Sequence, residues 1–132
     1  MDNKRNIDNC NLIEIKNLNL PTRYKNAIII IVNKLLELKE DLKITHLFLF
    51  GSCSRGNIRQ GSDIDILLLT NSENEKEIRC KLIYNEIDTP IYNIEPQVTV
   101  RNLDRYLNIN DNIKFHNEIY KDLKLLWRDK NE

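Results

Sequence analysis

The spacing of apolar residues along this chain predicts alternating helices and strands. Over Pro21–Asp41, apolar residues recur every three to four positions, which predicts an amphipathic helix whose first turn accommodates the proline. The segments Thr45–Phe50 and Asp63–Thr70 are short, apolar and bounded by turn residues, and they predict two buried strands. A helical period returns over Glu75–Ile87, and the charged run Glu73–Lys76 indicates that this helix starts in solvent.

The two ends of the chain carry weaker patterns. Residues 1–20 predict a loosely docked leader with a short strand around Leu12–Ile15, followed by a single domain over residues 21–132. Ile91–Val100 predicts a third strand, which an internal proline assigns to a sheet edge or a bulge. Asn102–Trp127 predicts two helical pieces, and no repeat or second domain is indicated.

Composition excludes several classes of function. The 132 residues contain 20 Lys and Arg and 20 Asp and Glu, and this zero formal charge argues against general nucleic-acid binding or a polybasic membrane surface. No apolar window approaches the ~20 residues of a membrane span, and the polar N-terminus lacks the apolar core of a signal peptide. We therefore expect a cytoplasmic protein. Its three cysteines lie far apart, so neither a disulfide framework nor a CxxC metal site is predicted.

Two acidic residues stand at the start of the second predicted strand. Asp63 and Asp65 are two positions apart, so both side chains project from one face of the strand, about 7 Å apart along the chain. Two carboxylates at the lip of a buried strand repel each other unless a cation lies between them, a geometry suited to Mg²⁺. The alternative interpretation is a pair of solvated acids at a strand end.

The loop between these two strands holds all three glycines of the protein within eleven positions. Gly51 and Ser52 are expected to open a short helix, whose unpaired backbone N–H groups offer an anion site suited to a triphosphate. Arg55, one turn later, is placed to contact a phosphate through its guanidinium. Taken singly, Ser52 would be a plain N-cap and Arg55 a surface ion pair, but both lie between adjacent strands and beside the acid pair.

Together these residues resemble the signature of the DNA polymerase β nucleotidyltransferase superfamily. The resemblance rests on four short groups: Gly51-Ser52, Arg55-Gly56, Gly61-Ser62 and Asp63-x-Asp65. It is close over Thr45–Thr70, and the short chain is most similar to minimal nucleotidyltransferases, which are often encoded beside a helical HEPN partner in prokaryotic toxin–antitoxin pairs. The resemblance implies an α+β fold of the nucleotidyltransferase type, with a small mixed β-sheet and helices packed mainly on one side.

The resemblance also implies the site residues and the cofactor. Asp63 and Asp65 would hold two Mg²⁺ or Mn²⁺ ions, and the triphosphate of ATP or another NTP would be bound by Gly51, Ser52, Arg55, Gly61 and Ser62. A third acid on a later strand would help to activate the acceptor. Glu95 is the only acid within the third predicted strand, so it is assigned this role, whereas Asp88 precedes that strand. If Glu95 faces elsewhere, the chain would bind nucleotide without efficient transfer.

The activity that the resemblance implies is transfer of a nucleoside monophosphate, AMP from ATP, to a hydroxyl group with release of pyrophosphate. Because 132 residues leave no room for an acceptor-binding domain, we expect a partner to supply the acceptor. A hydroxyl of a HEPN-type toxin would make this chain an antitoxin that acts by AMPylation. Two alternatives remain open: a small-molecule nucleotidyltransferase, for example acting on an antibiotic, that works as a homodimer, and a catalytically weak module that binds nucleotide or partner.

Overall fold

The first long element is the predicted amphipathic helix. In the computed structural model, which describes Ile7, residues 10–108 and residues 120–130, helix α1 spans Thr22–Glu37 and begins directly after Pro21. Its buried residues recur every three to four positions: Tyr24, Ala27, Ile28, Ile31, Val32 and Leu35. The prediction is confirmed, although the helix ends before the expected Asp41.

Two antiparallel strands form the centre of the sheet. β1 (Ile44–Phe50) is buried along its whole length and pairs with β2 (Ile64–Thr70). The short helix α2 (Gly51–Arg55) begins directly after β1, at the end of the strand pair where β2 starts. Both strands are apolar on both faces, because each face of the sheet is covered by other elements.

The third strand begins later than the sequence predicts. Helix α3 (Glu75–Tyr84) is followed by a single bridge between Ile91 and Ile94, and β3 (Pro96–Asn102) then runs parallel to β2. The predicted start at Ile91 is wrong, because a turn with positive φ at residues 92 and 93 separates this bridge from the strand. The predicted edge position is confirmed, and the proline, which has no N–H to donate, is the first residue of the strand.

The C-terminal part of the predicted helical tail is a strand. Helix α4 (Leu103–Leu107) agrees with the prediction, but β4 (Lys124–Arg128) pairs antiparallel with β1. Leu125 and Leu126 join opposite core clusters, as successive side chains of a strand do. Residues 109–119 of the predicted tail lie outside the described residues.

The leader contains one bridge and no strand within the residues that the structure describes. Leu12 forms an isolated parallel bridge to Leu125, and Ile15–Asn17 is a 3₁₀-helix, so the strand predicted at Leu12–Ile15 is wrong. Several apolar residues of the leader are nevertheless buried against the domain: Ile7, Leu18 and Leu20.

The four strands form one mixed sheet in the order β3-β2-β1-β4. The larger core cluster lies on the face covered by α1 and α3 and includes alternate residues of β2: Ile64, Ile66 and Leu68. The smaller cluster lies on the opposite face with α4 and includes the intervening residues Leu67 and Leu69. This is the α+β, mixed-sheet architecture implied by the resemblance. No helix in the described ranges has the length and hydropathy needed to cross a membrane.

A buried ion-pair network occupies the end of the sheet away from the acid pair. Glu75 is only 7% exposed, and it accepts hydrogen bonds from Arg101 Nη1 at 3.1 Å and from the Asn102 backbone N–H at 2.7 Å. Arg105 Nη1 lies 3.6 Å from the same carboxylate. The prediction that Glu73–Lys76 lies in solvent is therefore wrong for Glu75, because the junction of β3 and α4 surrounds it with donors.

Candidate nucleotide and metal site

Gly51 brings the acidic strand into contact with the start of α2. Its φ of +75° lies in the left-handed region, which favours glycine. A Cβ atom at this position would overlap Oδ2 of Asp65 and lie 3.2 Å from Cγ. The glycine is therefore required twice, by its backbone conformation and by the close approach of the Asp65 carboxylate.

Two hydrogen bonds hold the chain just before β2, where Asp63 lies. The buried Tyr24 hydroxyl donates to the Ser62 carbonyl at 2.8 Å, and the Cys53 thiol donates to the Asp63 carbonyl at 3.4 Å. These contacts connect the entry to β2 with α1 and α2. The backbone that carries the acid pair is thus supported by elements on two sides.

Burial and mutual repulsion raise the pKa values of two groups in this cluster. Burial, reinforced by the negative charge of Asp63, raises the pKa of Asp65 from 3.8 to about 6, and the positive charge of Arg55 opposes the shift. Burial raises the pKa of the Cys53 thiol to about 12, with smaller contributions from both carboxylates. Cys53 is therefore a protonated structural thiol, and Asp63 and Asp65 lie close enough to repel each other.

Arg55 lies near Asp63 and Asp65 and forms an ion pair with a third aspartate. Its Nη1 atom lies 2.6 Å from Oδ2 of Asp122, just before β4, and its side chain is 49% exposed. The neighbouring Ser54 hydroxyl donates to the Asp122 carbonyl. The structure thus shows the ion pair that was the alternative interpretation of Arg55, while its charge still reaches Asp65.

The other predicted phosphate-binding residues lie in α2 and in the turn between α2 and β2. The Ser52 carbonyl accepts from the backbone N–H of Gly56 and of Asn57, which ends the short helix. The Ser62 hydroxyl accepts a hydrogen bond from the Arg59 backbone N–H at 2.7 Å. Gly61 has a φ of +84°, and a Cβ atom at this position would have no heavy atom within 4 Å. These bonds shape the turn. The roles of Ser52, Gly61 and Ser62 in nucleotide binding stay predictions.

Among the described residues, Glu95 does not complete a three-residue metal group with the two aspartates, and its assigned role stays a prediction. It is exposed, it lies one residue before β3, and its carbonyl accepts from the Ile64 N–H at 2.9 Å. Gln97 is the β3 residue directly paired with Asp65, and paired residues of parallel strands project from the same face. The register therefore sets a neutral amide beside Asp65.

The donor set suits a divalent cation. The two aspartates supply the hard oxygen ligands that Mg²⁺ prefers, and a cation would offset both the burial of the Asp65 charge and its repulsion by Asp63, which together raise the pKa of Asp65. Within the described ranges, no group of three His, Cys, Asp or Glu side chains is arranged to hold a metal. The described residues thus supply the acid pair and leave the third acid of a two-ion cluster unassigned.

Three residues of this cluster were not predicted from the sequence to be part of the site. Tyr24 was recognisable only as a residue of the buried face of a helix, and Cys53 only as an unpaired cysteine. Asp122 lies 67 residues from Arg55, so nothing local indicated the pair. His46, on β1, is buried and stacks on Phe48.

The family comparison supports the class that this fold and acid pair define. The model of the polymerase beta nucleotidyltransferase family matches residues 31–132, which includes the sheet, α2 and the acid pair. The chain therefore belongs to the polymerase beta nucleotidyltransferase family. No curated protein matches it.

Several solved structures match this chain, among them the following two. One is a protein from Sulfolobus solfataricus assigned as a nucleotidyltransferase, with 18% identity and a TM-score of 0.48, covering 82% of this chain and 89% of that one. The other is the crystal structure of a toxin–antitoxin with AMP-PNP, with 23% identity and a TM-score of 0.44, covering 75% of this chain and 74% of that one. The family assignment rests on the family match alone.

Proposed function

We propose that this chain is an active nucleotidyltransferase that moves AMP from ATP to a hydroxyl group of a partner protein. The observation that supports this most is the position of Asp63 and Asp65, with the Asp65 carboxylate packed against Gly51 at the turn that follows β1. A half-buried carboxylate with a raised pKa marks a candidate functional site, and two adjacent carboxylates provide the hard oxygen ligands of a divalent cation.

The residues of the site have separate tasks in this proposal. Asp63 and Asp65 hold Mg²⁺ or Mn²⁺, while Gly51, Ser52 and Arg55 face the phosphates. A divalent cation bound there would neutralise phosphate charge and lower the pKa of the attacking hydroxyl. The acceptor hydroxyl releases its proton to water as its oxygen bonds to the α-phosphorus, the bond from that phosphorus to the bridging oxygen breaks, and pyrophosphate leaves. Tyr24 and Cys53 keep the acid-bearing backbone in place.

A partner protein supplies the acceptor. Within the described ranges the strands form one sheet with a core cluster on each face, and these residues include no second unit that could hold an acceptor. The resemblance to minimal nucleotidyltransferases points to a helical HEPN-type toxin, for example through a tyrosine hydroxyl. This chain would then act as an antitoxin by AMPylation.

The experiment is transfer of label from α-labelled ATP in MgCl₂, with proteins co-purified from the native host, followed by intact-mass measurement of each. We expect a labelled partner, and a loss of about two to four orders of magnitude in Asp63→Asn and in Asp65→Asn. Thermal melting verifies that both variants fold. Transfer at the wild-type rate in either variant would contradict the metal assignment.

A second function, a catalytically weak binding module, is favoured by one observation. Within the described residues no third His, Cys, Asp or Glu side chain completes a metal group with Asp63 and Asp65, and the strand register sets Gln97 beside Asp65. Such a chain would bind Mg·ATP and its partner without releasing pyrophosphate. Saturable binding in calorimetry combined with no pyrophosphate release in the presence of the partner would identify this function.

A further inference from the structure

Two side chains of α2 join it to the chain just before β4. Arg55 Nη1 lies 2.6 Å from Asp122 Oδ2, and the Ser54 hydroxyl donates to the carbonyl of the same aspartate. The ion pair is partly open to solvent, with side-chain exposures of 49% for Arg55 and 24% for Asp122. We call Ser54, Arg55 and Asp122 the α2 latch.

The latch pairs Asp122 with Arg55, a cation whose charge acts on the acid pair. The charge of Arg55 acts on Asp65, so the guanidinium lies within electrostatic reach of the carboxylate. A guanidinium has five N–H donors, and carboxylate and phosphate oxygens compete for the same planar fork. Asp122 therefore binds some of the N–H donors of the Arg55 guanidinium and partly neutralises its positive charge.

We propose that the Arg55–Asp122 ion pair restrains nucleotide binding, and that the triphosphate displaces Asp122 from Arg55. The inference rests on the proposed function, because it assumes that a nucleotide binds at the acid pair. The exchange is favourable since a triphosphate carries more negative charge than one carboxylate, while a partly exposed ion pair is weak and easily broken.

The exchange also couples the site to the C-terminal strand. Once Arg55 turns to phosphate, the Ser54 contact alone connects α2 to Asp122 through the latch. Backbone amides at residues 121–123 should then exchange hydrogen faster when the nucleotide is bound. A partner that holds Asp122 against Arg55 would weaken nucleotide binding. By thermodynamic reciprocity, the nucleotide would weaken binding of that partner by the same factor.

The experiment is calorimetric titration of a non-hydrolysable ATP analogue, in MgCl₂, into wild type, Asp122→Asn, Arg55→Ala and the double variant. Asp122→Asn should bind about two- to fivefold more tightly, the value of a broken exposed ion pair. Arg55→Ala should bind about tenfold more weakly. In the Arg55→Ala background, Asp122→Asn should give no gain, because the restraint acts through Arg55.

Two controls separate the latch from other effects. Asp104→Asn removes the same charge from the exposed start of α4, at the other end of the sheet, and should leave affinity unchanged. Melting curves verify that each variant is folded. Equal tightening by Asp122→Asn with and without Arg55 would show a simple charge effect and overturn the latch.

The outcomes also distinguish the latch from the proposed function. If the wild-type protein binds the ATP analogue and Asp122→Asn binds it equally or more weakly, the latch is wrong and the proposed function is unaffected. If Asp122→Asn binds the analogue and the wild-type protein does not, the latch is supported. Absence of binding in both folded proteins would overturn the latch and the proposed nucleotide site together.

Discussion

Replacing Asp65 by Asn should stabilise the protein while removing its function. In the fold, burial and the charge of Asp63 raise the pKa of Asp65 from 3.8 to about 6. The folded state therefore disfavours the ionised carboxylate relative to the unfolded chain. The contribution of Asp65 to stability is fully present below about pH 4 and is lost as the pH rises through about 6. Asparagine has a similar shape and carries no charge at any of these pH values.

The size of the effect follows from the two pKa values. The rise from 3.8 to about 6 would correspond to about 3 kcal/mol for a carboxylate fully shielded from solvent. Asp65 is only partly buried, so solvent screening reduces the expected gain to about 1–2 kcal/mol at about pH 8. For a chain of this length, that corresponds to an increase in Tm of about 3–8 °C.

The assay is thermal unfolding of wild type and Asp65→Asn in EDTA at several pH values from about 4 to 8. The variant should melt higher at pH 8, and the difference should vanish near pH 4. Asp104→Asn, at an exposed position, serves as the matched control. Adding MgCl₂ should then raise the Tm of wild type and leave that of Asp65→Asn unchanged. A constant difference across the pH range would refute the raised pKa that burial and the charge of Asp63 give to Asp65.

Four further substitutions test other contacts. Gly51→Ala should lower the free energy of unfolding by about 1–3 kcal/mol in chemical denaturation, because the new methyl group meets the Asp65 carboxylate at an unfavourable φ. Glu75→Gln should cost about 3 kcal/mol by the same measurement, since it breaks a buried ion-pair network. Gln97→Asp should increase Mn²⁺ affinity in calorimetry, because it adds a carboxylate beside Asp65. Glu95→Gln should change Mn²⁺ affinity less than twofold. A larger effect of Glu95→Gln would show that Glu95 contributes to the metal site.

Local sequence determined the elements that depend on neighbouring residues. The period of α1, the apolar runs of β1 and β2, and the alternation that separates the acids from Ile64 are properties of short segments. The acid pair could therefore be predicted with its strand. Gly51 was also predictable, because three glycines concentrated in one loop indicate unusual backbone conformations.

Contacts between distant segments were decided only by the tertiary structure. β4 has helix-like spacing in sequence, but pairing with β1 makes it a strand and sends Leu125 and Leu126 to opposite faces. The burial of Glu75 depends on donors from the β3–α4 junction. No short segment encodes these partners.

The composition of the site depends on the same long-range geometry. The parallel register of β2 and β3 pairs Gln97 with Asp65, and a shift of one residue would have turned a different β3 side chain to this face. Asp122 reaches Arg55 only because β4 adds to the edge of β1. Local periodicity thus encodes the acid pair, whereas strand pairing selects its neighbours, since register and strand order are set by the packing of the whole sheet.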